Sequence, residues 1–188
     1  MFNIFITLFM SHTMKPLHLL VSCYGPPGVG KTTAATMIFS ELKKRHVDVD
    51  LVTDFAKDMI IQGNVLAMQN QLYVWASQLY RNRCAYERAT ITITDTPVML
   101  GAIYNTRSTT HFFNVALEEY HRFNNYNLMI PRNADIEYSM FGRVHNEDQS
   151  IQLGHDIDAM METAEIPHRI FYEEELPDII DEILSIVQ

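Results

Sequence analysis

One glycine-rich segment has the residue types and the spacing of a phosphate-binding site. Gly25–Thr32 has the sequence GPPGVGKT, which fits the pattern G-x-x-x-x-G-K-[ST]. Glycines allow the backbone to turn sharply, so that successive N–H groups point toward one anion. Lys31 is placed to reach the β- and γ-phosphates of a nucleoside triphosphate such as ATP, and the Thr32 hydroxyl to coordinate Mg²⁺. The predicted contact residues are Gly25, Pro26, Pro27, Gly28, Val29, Gly30, Lys31, Thr32 and Thr33.

The segments on either side of this phosphate loop (Gly25–Thr32) have the expected character. Leu17–Tyr24 is a mostly apolar run of strand length, which is typical of a strand buried on both faces. Lys31–Arg45 has a helical pattern with basic residues near its C-terminal end, where they suit the helix dipole. The glycine spacing is GxxGxG rather than GxGxxG, which excludes a dinucleotide-binding fingerprint.

Asp54 and Lys57 follow the second predicted strand. Ligands of open parallel sheets bind outside the carboxyl ends of the strands, where the phosphate loop also lies. Asp54 is therefore a candidate to accept a proton from an acceptor hydroxyl beside the γ-phosphate. It is equally suited to cap the helix that follows, and the two roles are compatible. Lys57 is either a phosphate contact or a solvated lysine.

Asp95 ends a third predicted strand, Ala89–Thr94. An acidic residue that ends the strand beside a phosphate loop commonly holds Mg²⁺ through water. Thr32 and Asp95 are accordingly the predicted metal-binding residues. The alternative is that Asp95 only caps the turn before Pro97.

Three basic residues flank a polar stretch after the fourth predicted strand: Arg132, Arg143 and His145. Arginines in such a position can fold over a triphosphate and stabilise the charge that develops in phosphoryl transfer. We therefore predict a small lid at about residues 132–146, with Arg132 and Arg143 as catalytic residues beside Lys31 and Asp54. The alternative is that these charges are exposed and balance nearby acidic residues.

The helical segment Ala67–Arg83 combines aromatic residues with amides. Aromatic rings can stack on a base, and amides can read its edge. The candidate substrate contacts, together with Asp54 and Lys57, are Gln71, Trp75, Gln78 and Arg81. An aromatic residue at helical spacing is more often part of a core, and that alternative stays open for each of them.

Apolar runs and helical patterns alternate along the chain, which predicts an α/β fold with a parallel sheet and helices on both faces. The five predicted strands are Leu17–Tyr24, Val47–Thr53, Ala89–Thr94, Asn127–Ile130 and His168–Tyr172. The predicted helices are Lys31–Arg45, Phe55–Ile61, Ala67–Arg83, His111–Phe123, Glu147–Thr163 and Leu176–Val187. One domain over residues 16–188 accommodates all of these elements. Residues 1–15 are expected to be an N-terminal extension, with Met14, just before Lys15-Pro16 and the first predicted strand, as a candidate functional start; the alternative is an extra N-terminal strand or arm. The apolar run Met1–Met10 is too short to span a bilayer, so we do not expect it to be a membrane anchor.

Charge is distributed unevenly over the 188 residues, whose formal net charge is −9. Residues 1–132 contain 12 basic and 9 acidic side chains, whereas residues 133–188 contain 2 basic and 14 acidic ones. The average argues against a broad nucleic-acid or membrane surface, but the first part can hold a confined anion site. Cys23 and Cys84 form no CxxC pair, so we expect buried thiols in a reduced, cytoplasmic compartment.

These motifs together resemble small P-loop kinases of the nucleoside- and nucleotide-kinase type, over about residues 16–188. The chain is most similar to the ribosylnicotinamide-kinase-like (AAA-type) ATPase domains common in bacteriophage genomes. The resemblance rests on GPPGVGKTT (25–33), LVTDFAKD (51–58), QLYVWASQ (71–78), TDTPVML (94–100) and the stretch that ends in Phe141-Gly142-Arg143. It implies a three-layer fold with a five-stranded parallel sheet, Mg·ATP as phosphoryl donor, and a small hydroxyl or phosphate acceptor. A phage protein of this type would act in the host cytoplasm.

The resulting prediction is an ATP- and Mg²⁺-dependent phosphotransferase acting on a nucleoside, a nucleotide or a related small molecule. One alternative is a kinase that modifies a hydroxymethylated pyrimidine within phage DNA, which Arg81, Arg83, Arg88 and Arg107 leave open. Another is a nucleotide switch or ATPase without an acceptor. The sequence leaves the oligomeric state open, a dimer included.

Overall fold

The computed structural model describes residues 17–104, 110–132 and 146–188. The strands are β1 Leu19–Tyr24, β2 Val49–Val52, β3 Ile91–Thr94, β4 Asn125–Met129 and β5 Arg169–Ile170. The helices are α1 Lys31–Lys44, α2 Phe55–Ile61, α3 Val65–Gln69, α4 Gln71–Arg88, α5 Leu100–Tyr104, α6 Thr110–Tyr120, α7 Glu147–Thr163 and α8 Leu176–Val187. A 3₁₀ turn at Glu173–Glu175 precedes α8. The predicted extension, Arg107, Arg143, His145 and most of the predicted lid lie outside the described residues.

The strands form one sheet in the order β2-β3-β1-β4-β5, and every pairing is parallel. This confirms the predicted α/β fold with a five-stranded parallel sheet. The central strand, β1, is buried along its whole length, as its continuous apolar sequence predicts. Because β3 lies between β1 and β2, the carboxyl ends of these three strands are adjacent at one edge of the sheet.

Alternate residues of β1 serve two separate cores, because successive side chains of a strand point to opposite faces. Leu19 and Val21 pack with the buried faces of α1 and α8. Leu20 and Tyr24 pack on the other face against residues of α5, α6 and α7. The fold therefore has three layers, with helices on both faces of the sheet.

A third, small apolar cluster lies outside these two cores. It contains Phe55 and Met59 of α2 and Ala67 of α3, with Met68 and Val74 packed against them. The helices α2, α3 and the first turn of α4 therefore form a corner with a core of its own.

The predicted helix Ala67–Arg83 is in fact two helices. Asn70 ends α3 and begins α4, and its Oδ1 atom accepts a hydrogen bond from the Tyr73 N–H at 3.1 Å. Asparagine is a strong N-cap residue, so a local capping signal overrides the longer apolar periodicity. The short helix α5 was not predicted because five residues are too few to show a period.

The two cysteines differ in burial. Cys23 is fully buried in β1, and burial, with a contribution from the charge of Asp95, raises the pKa of its thiol to about 12. Cys84 is exposed on α4, so the prediction that both thiols are buried is wrong for this one. Within the described ranges, no helix is long and apolar enough to cross a membrane.

Candidate active site

The phosphate loop leaves β1 in a conformation that requires glycine. Gly25, Gly28 and Gly30 have φ values of 139°, 95° and 94°, a region that other residues rarely adopt. A Cβ atom at Gly25 would also lie only 2.8 Å from the carbonyl oxygen of Ile130. Gly30 is the N-cap of α1, and no side chain caps this helix. The N-terminal N–H groups of α1 therefore face the loop, where they suit an anionic phosphate.

Lys31 is folded back over the loop. Its ammonium group donates a hydrogen bond to the Pro26 carbonyl oxygen at 2.9 Å. Its positive charge therefore lies beside the N–H groups that the turn exposes.

Thr32 and Asp95 are in contact at the carboxyl ends of the neighbouring strands β1 and β3. The Thr32 hydroxyl donates to Asp95 Oδ2 at 2.5 Å, and Asp95 is only 4% exposed. Asp95 directly follows β3, and Thr32 lies just after the loop that follows β1. The parallel pairing of β1 with β3 therefore brings the two residues together. A hydroxyl and a carboxylate are the hard oxygen ligands that Mg²⁺ prefers, so these residues fit the predicted metal site.

Asp54 follows β2 on the other side of β3. Its Oδ1 atom accepts a hydrogen bond from the Ala56 N–H at 2.8 Å, so the predicted capping of α2 is confirmed. Burial is the main cause that raises the pKa of this carboxyl group, and the charge of Asp95 adds to the shift. The Ala56 hydrogen bond and the charge of Lys31 act in the opposite direction. A carboxyl group in such surroundings holds protons more tightly than an exposed one.

These groups line one cavity of about 780 Å³. At the end beside the phosphate loop, which we name the donor end after the predicted phosphoryl donor, the lining includes Gly28, Gly30, Lys31, Thr32, Asp54 and Asp95. At the opposite end, which we name the acceptor end after the predicted acceptor, the lining is mostly apolar and comes from α2 to α5 and the segment just before α5: Ile60, Val65, Met68, Val74, Trp75, Leu79, Val98, Leu100 and Tyr104. The cavity therefore has one polar, charged end and one apolar end. Its total volume is typical of small-molecule sites.

Trp75 forms a fixed part of the acceptor end. Its indole N–H donates to the Val98 carbonyl oxygen at 3.0 Å, and its ring meets Phe112 edge to face. Gly101 provides the necessary space, because a Cβ atom there would lie 1.9 Å from Trp75 Cδ1. The sequence singled out Trp75 but not Gly101, since only the packing of α5 against α4 shows this contact.

The two candidate glutamines also line the cavity, but both make hydrogen bonds within the protein. Gln78 accepts from the Phe55 N–H at 2.8 Å and donates to Asn82 at 3.2 Å. Gln71 donates to the Met68 carbonyl oxygen at 2.9 Å. Gln78 therefore connects α4 to the start of α2, directly beside Asp54.

The basic candidates divide between the cavity and the surface. Lys57 is exposed and lines the cavity. Arg81 pairs with Asp58 at 2.8 Å and lies over the Phe55 ring, and it borders a separate, smaller groove. Arg132 pairs with Glu147 at the start of α7.

The chain is similar to known proteins in its first half and in its overall fold. The model of the ATPase family associated with various cellular activities (AAA) matches residues 21–96. This range begins in β1 and ends just after Asp95, so it contains the phosphate loop and the two candidate site residues Asp54 and Asp95. The chain has the P-loop NTPase fold.

Solved structures with this P-loop NTPase fold match the chain at low sequence identity. Thymidylate kinase from Ehrlichia chaffeensis matches with a TM-score of 0.58 and 10% identity, over 92% of this chain and all of that one. A NadR protein in complex with NR matches with a TM-score of 0.61 and 15% identity, over 91% of this chain. This chain spans 52% of the length of that NadR chain. No curated protein matches by sequence.

Proposed function

We propose that this chain is a P-loop kinase that transfers the γ-phosphoryl group of Mg·ATP to a hydroxyl group of a nucleoside or a related small acceptor. The observation that carries the proposal is the single cavity that the phosphate loop, Asp54 and the apolar acceptor end share. A pure ATPase needs a site for water, whereas this cavity has room for a second organic molecule beside the phosphate loop.

The residues at the donor end have complementary roles. The phosphate loop and Lys31 bind the β- and γ-phosphates and neutralise their charge. Thr32 and Asp95 would hold Mg²⁺, which would supply further charge neutralisation when bound. Arg132, with Arg143 from the segment outside the described residues, is the candidate to cover the triphosphate from the lid.

Asp54 is the proposed acceptor-side base. Its carboxylate takes the proton from the acceptor hydroxyl as that oxygen forms a bond to the γ-phosphorus, and ADP leaves with the electrons of the broken P–O bond. Burial favours this proton transfer, because it raises the proton affinity of the carboxylate. Trp75 and the neighbouring apolar side chains would hold the ring of the acceptor, with Lys57, Gln71 and Gln78 at the cavity lining as further candidate contacts.

The names of the two structurally similar proteins agree with a small acceptor of the nucleoside or nucleotide type, since one is a thymidylate kinase and the other was solved in complex with NR. At 10% and 15% identity they support the fold and not the acceptor. The choice of a hydroxyl acceptor rests instead on Asp54, because a phosphate acceptor is already ionised and needs no base.

The direct test is transfer of labelled γ-phosphate from ATP to a panel of acceptors. The panel contains nucleosides, their monophosphates, nicotinamide riboside and DNA with hydroxymethylated pyrimidines. We expect labelled nucleoside-type product that depends on Mg²⁺. Slow hydrolysis with no labelled acceptor would replace the kinase with a switch or ATPase. Labelled DNA, with binding that weakens steeply as salt rises, would favour the polymer substrate.

A further inference from the structure

The helix α7 brings a serine hydroxyl to the phosphate loop. Ser150 is completely buried, and its Oγ atom donates a hydrogen bond to the Pro27 carbonyl oxygen at 2.6 Å. Gly154, one turn later, faces Pro26, and a Cβ atom at Gly154 would lie 3.4 Å from the Pro26 ring. Small residues at these two positions allow α7 to approach the loop closely.

The helix that presents Ser150 is well anchored at both ends. Ile157 and Met161 lie on the same face as Ser150 and Gly154 and are 0% and 1% exposed in the core beneath the sheet. At the other end, Asn146 and Gln149 form a capping box. The serine hydroxyl is therefore held in place by packing and capping that do not involve the loop.

Pro26 and Pro27 connect the Ser150 hydrogen bond to phosphate binding. Proline has no backbone N–H, so Gly28 is the first residue after Gly25 that can donate one to an anion. The Pro27–Gly28 peptide bond is trans, so its carbonyl oxygen and its N–H point in opposite directions. A carbonyl held toward α7 therefore turns the Gly28 N–H away from α7. Gly28 itself lines the cavity, together with Lys31 and Thr32.

We propose that Ser150 is a positioning residue of the phosphate site: by holding the Pro27 carbonyl, it fixes the Gly28 N–H in the direction of bound phosphate. Without this hydroxyl, the carbonyl loses its donor and the peptide unit can rotate. The inference rests on the proposed binding of a nucleoside triphosphate at the loop and is independent of the acceptor.

The test compares Ser150→Ala with Thr163→Ala in the full chain. Thr163 is the last residue of the same helix, and its hydroxyl donates to the Ala159 carbonyl oxygen at 2.7 Å rather than to the loop. Dissociation constants for Mg·ATP and for tripolyphosphate, and KM for the acceptor, are measured at a temperature at which circular dichroism shows both variants folded. We expect Ser150→Ala to bind both phosphate ligands about five- to tenfold more weakly, as for one lost hydrogen bond. The acceptor KM should stay unchanged, and Thr163→Ala should resemble the parent chain.

A purely structural role for Ser150 gives a different result. A Ser150→Ala variant that is less stable to heat but binds ATP and tripolyphosphate as the parent does would overturn the proposal. If that variant does not fold, Ser150→Cys keeps the volume of the side chain with only a weak donor, and unchanged phosphate affinity there would overturn it equally. A parent chain that binds neither phosphate ligand would refute triphosphate binding itself. Binding of both without transfer to any acceptor would refute the kinase but not the role of Ser150.

Discussion

The two ends of the cavity are built in different ways. At the donor end, backbone N–H groups and polar side chains come from the loops that follow β1, β2 and β3 and from the first turn of α1. At the acceptor end, apolar side chains come from four helices, three of them with seven residues or fewer. The donor end is continuous with the main sheet, whereas much of the acceptor end belongs to the corner with its own small core.

In the proposed kinase, this difference would place phosphoryl transfer at one end of the cavity and recognition of the acceptor at the other. Phosphate binding needs fixed dipoles and charges, which the central strands of a parallel sheet place with little freedom. Recognition of a ring needs an apolar surface of the right shape, which helix side chains can change without moving the strands. Val65 and Leu66 are 64% and 81% exposed, so the outer helices are also the less buried part. Variants at the two ends should therefore affect different kinetic constants.

The largest effect is expected at the donor end, for Lys31→Ala. Loss of the ammonium group should reduce transfer by about 10³-fold or more, because no other described residue of the loop has a positive charge. The thermal unfolding midpoint should change little, since the group is only partly buried. Labelled-phosphate transfer and a thermal melt measure the two quantities. Full activity in this variant would contradict the role of the loop.

Asp54→Asn should affect turnover rather than ATP affinity. We expect kcat to fall by about 10²- to 10³-fold, as for loss of a general base, with Kd for ATP within about threefold of the parent value. The asparagine can still cap α2 and removes a charge that burial disfavours. The unfolding midpoint at neutral pH should therefore stay the same or rise. Collapse of ATP binding with normal kcat would assign Asp54 to ATP binding rather than to proton transfer from the acceptor.

The pH dependence of transfer gives an independent check on Asp54. The carboxylate must be ionised to accept a proton, and its pKa in the folded chain is raised mainly by burial. Activity should therefore fall with decreasing pH through a pKa above the value of about 3.9 for an exposed aspartate. The same shift means that ionised Asp54 costs stability above its folded pKa, and this cost disappears as the pH falls through it. A kcat profile that is flat through the acid range would contradict the role as base.

Gly101→Ala should affect the acceptor end alone. The added methyl group must displace the Trp75 ring, so kcat/KM for the acceptor should fall by about 10- to 100-fold. Affinity for ATP should remain that of the parent. Trp75 is the single tryptophan of the chain, so its fluorescence reports the displacement directly. An equal loss of ATP affinity would show that the two ends are not independent.

The smallest effect is expected for Arg81→Ala. Its partly exposed ion pair with Asp58 should contribute less than about 1 kcal/mol to the free energy of unfolding. Because the guanidinium group borders the smaller groove rather than the cavity, the acceptor KM should change by less than about twofold. Steady-state kinetics and urea unfolding measure both. A large rise in the acceptor KM would restore Arg81 as a substrate contact.

Much of the fold could be predicted because its signals are local. The bounds of α2, α7 and α8 agree with the predicted segments, since apolar periodicity and capping residues mark them. The break at Asn70 and the short helix α5 were missed, and β5 has only two residues. The capping signal of Asn70 is local, but the apolar periodicity continues across it, and α5 is too short to show a period. Only the extent of β5 depends on a distant contact, its pairing with β4.

The site shows the same division between local and distant information. The sequence by itself determined the phosphate loop, because glycine at positive φ, lysine and threonine must follow one another in a fixed order. It also selected Asp54 and Asp95 as residues that end strands. Only the tertiary structure decided that β3 lies between β1 and β2, which brings Thr32 to Asp95 and leaves Asp54 beside them. It likewise brought Ser150 to the loop from 123 positions away and Gly101 under Trp75, because side chains from distant segments meet only when the layers pack.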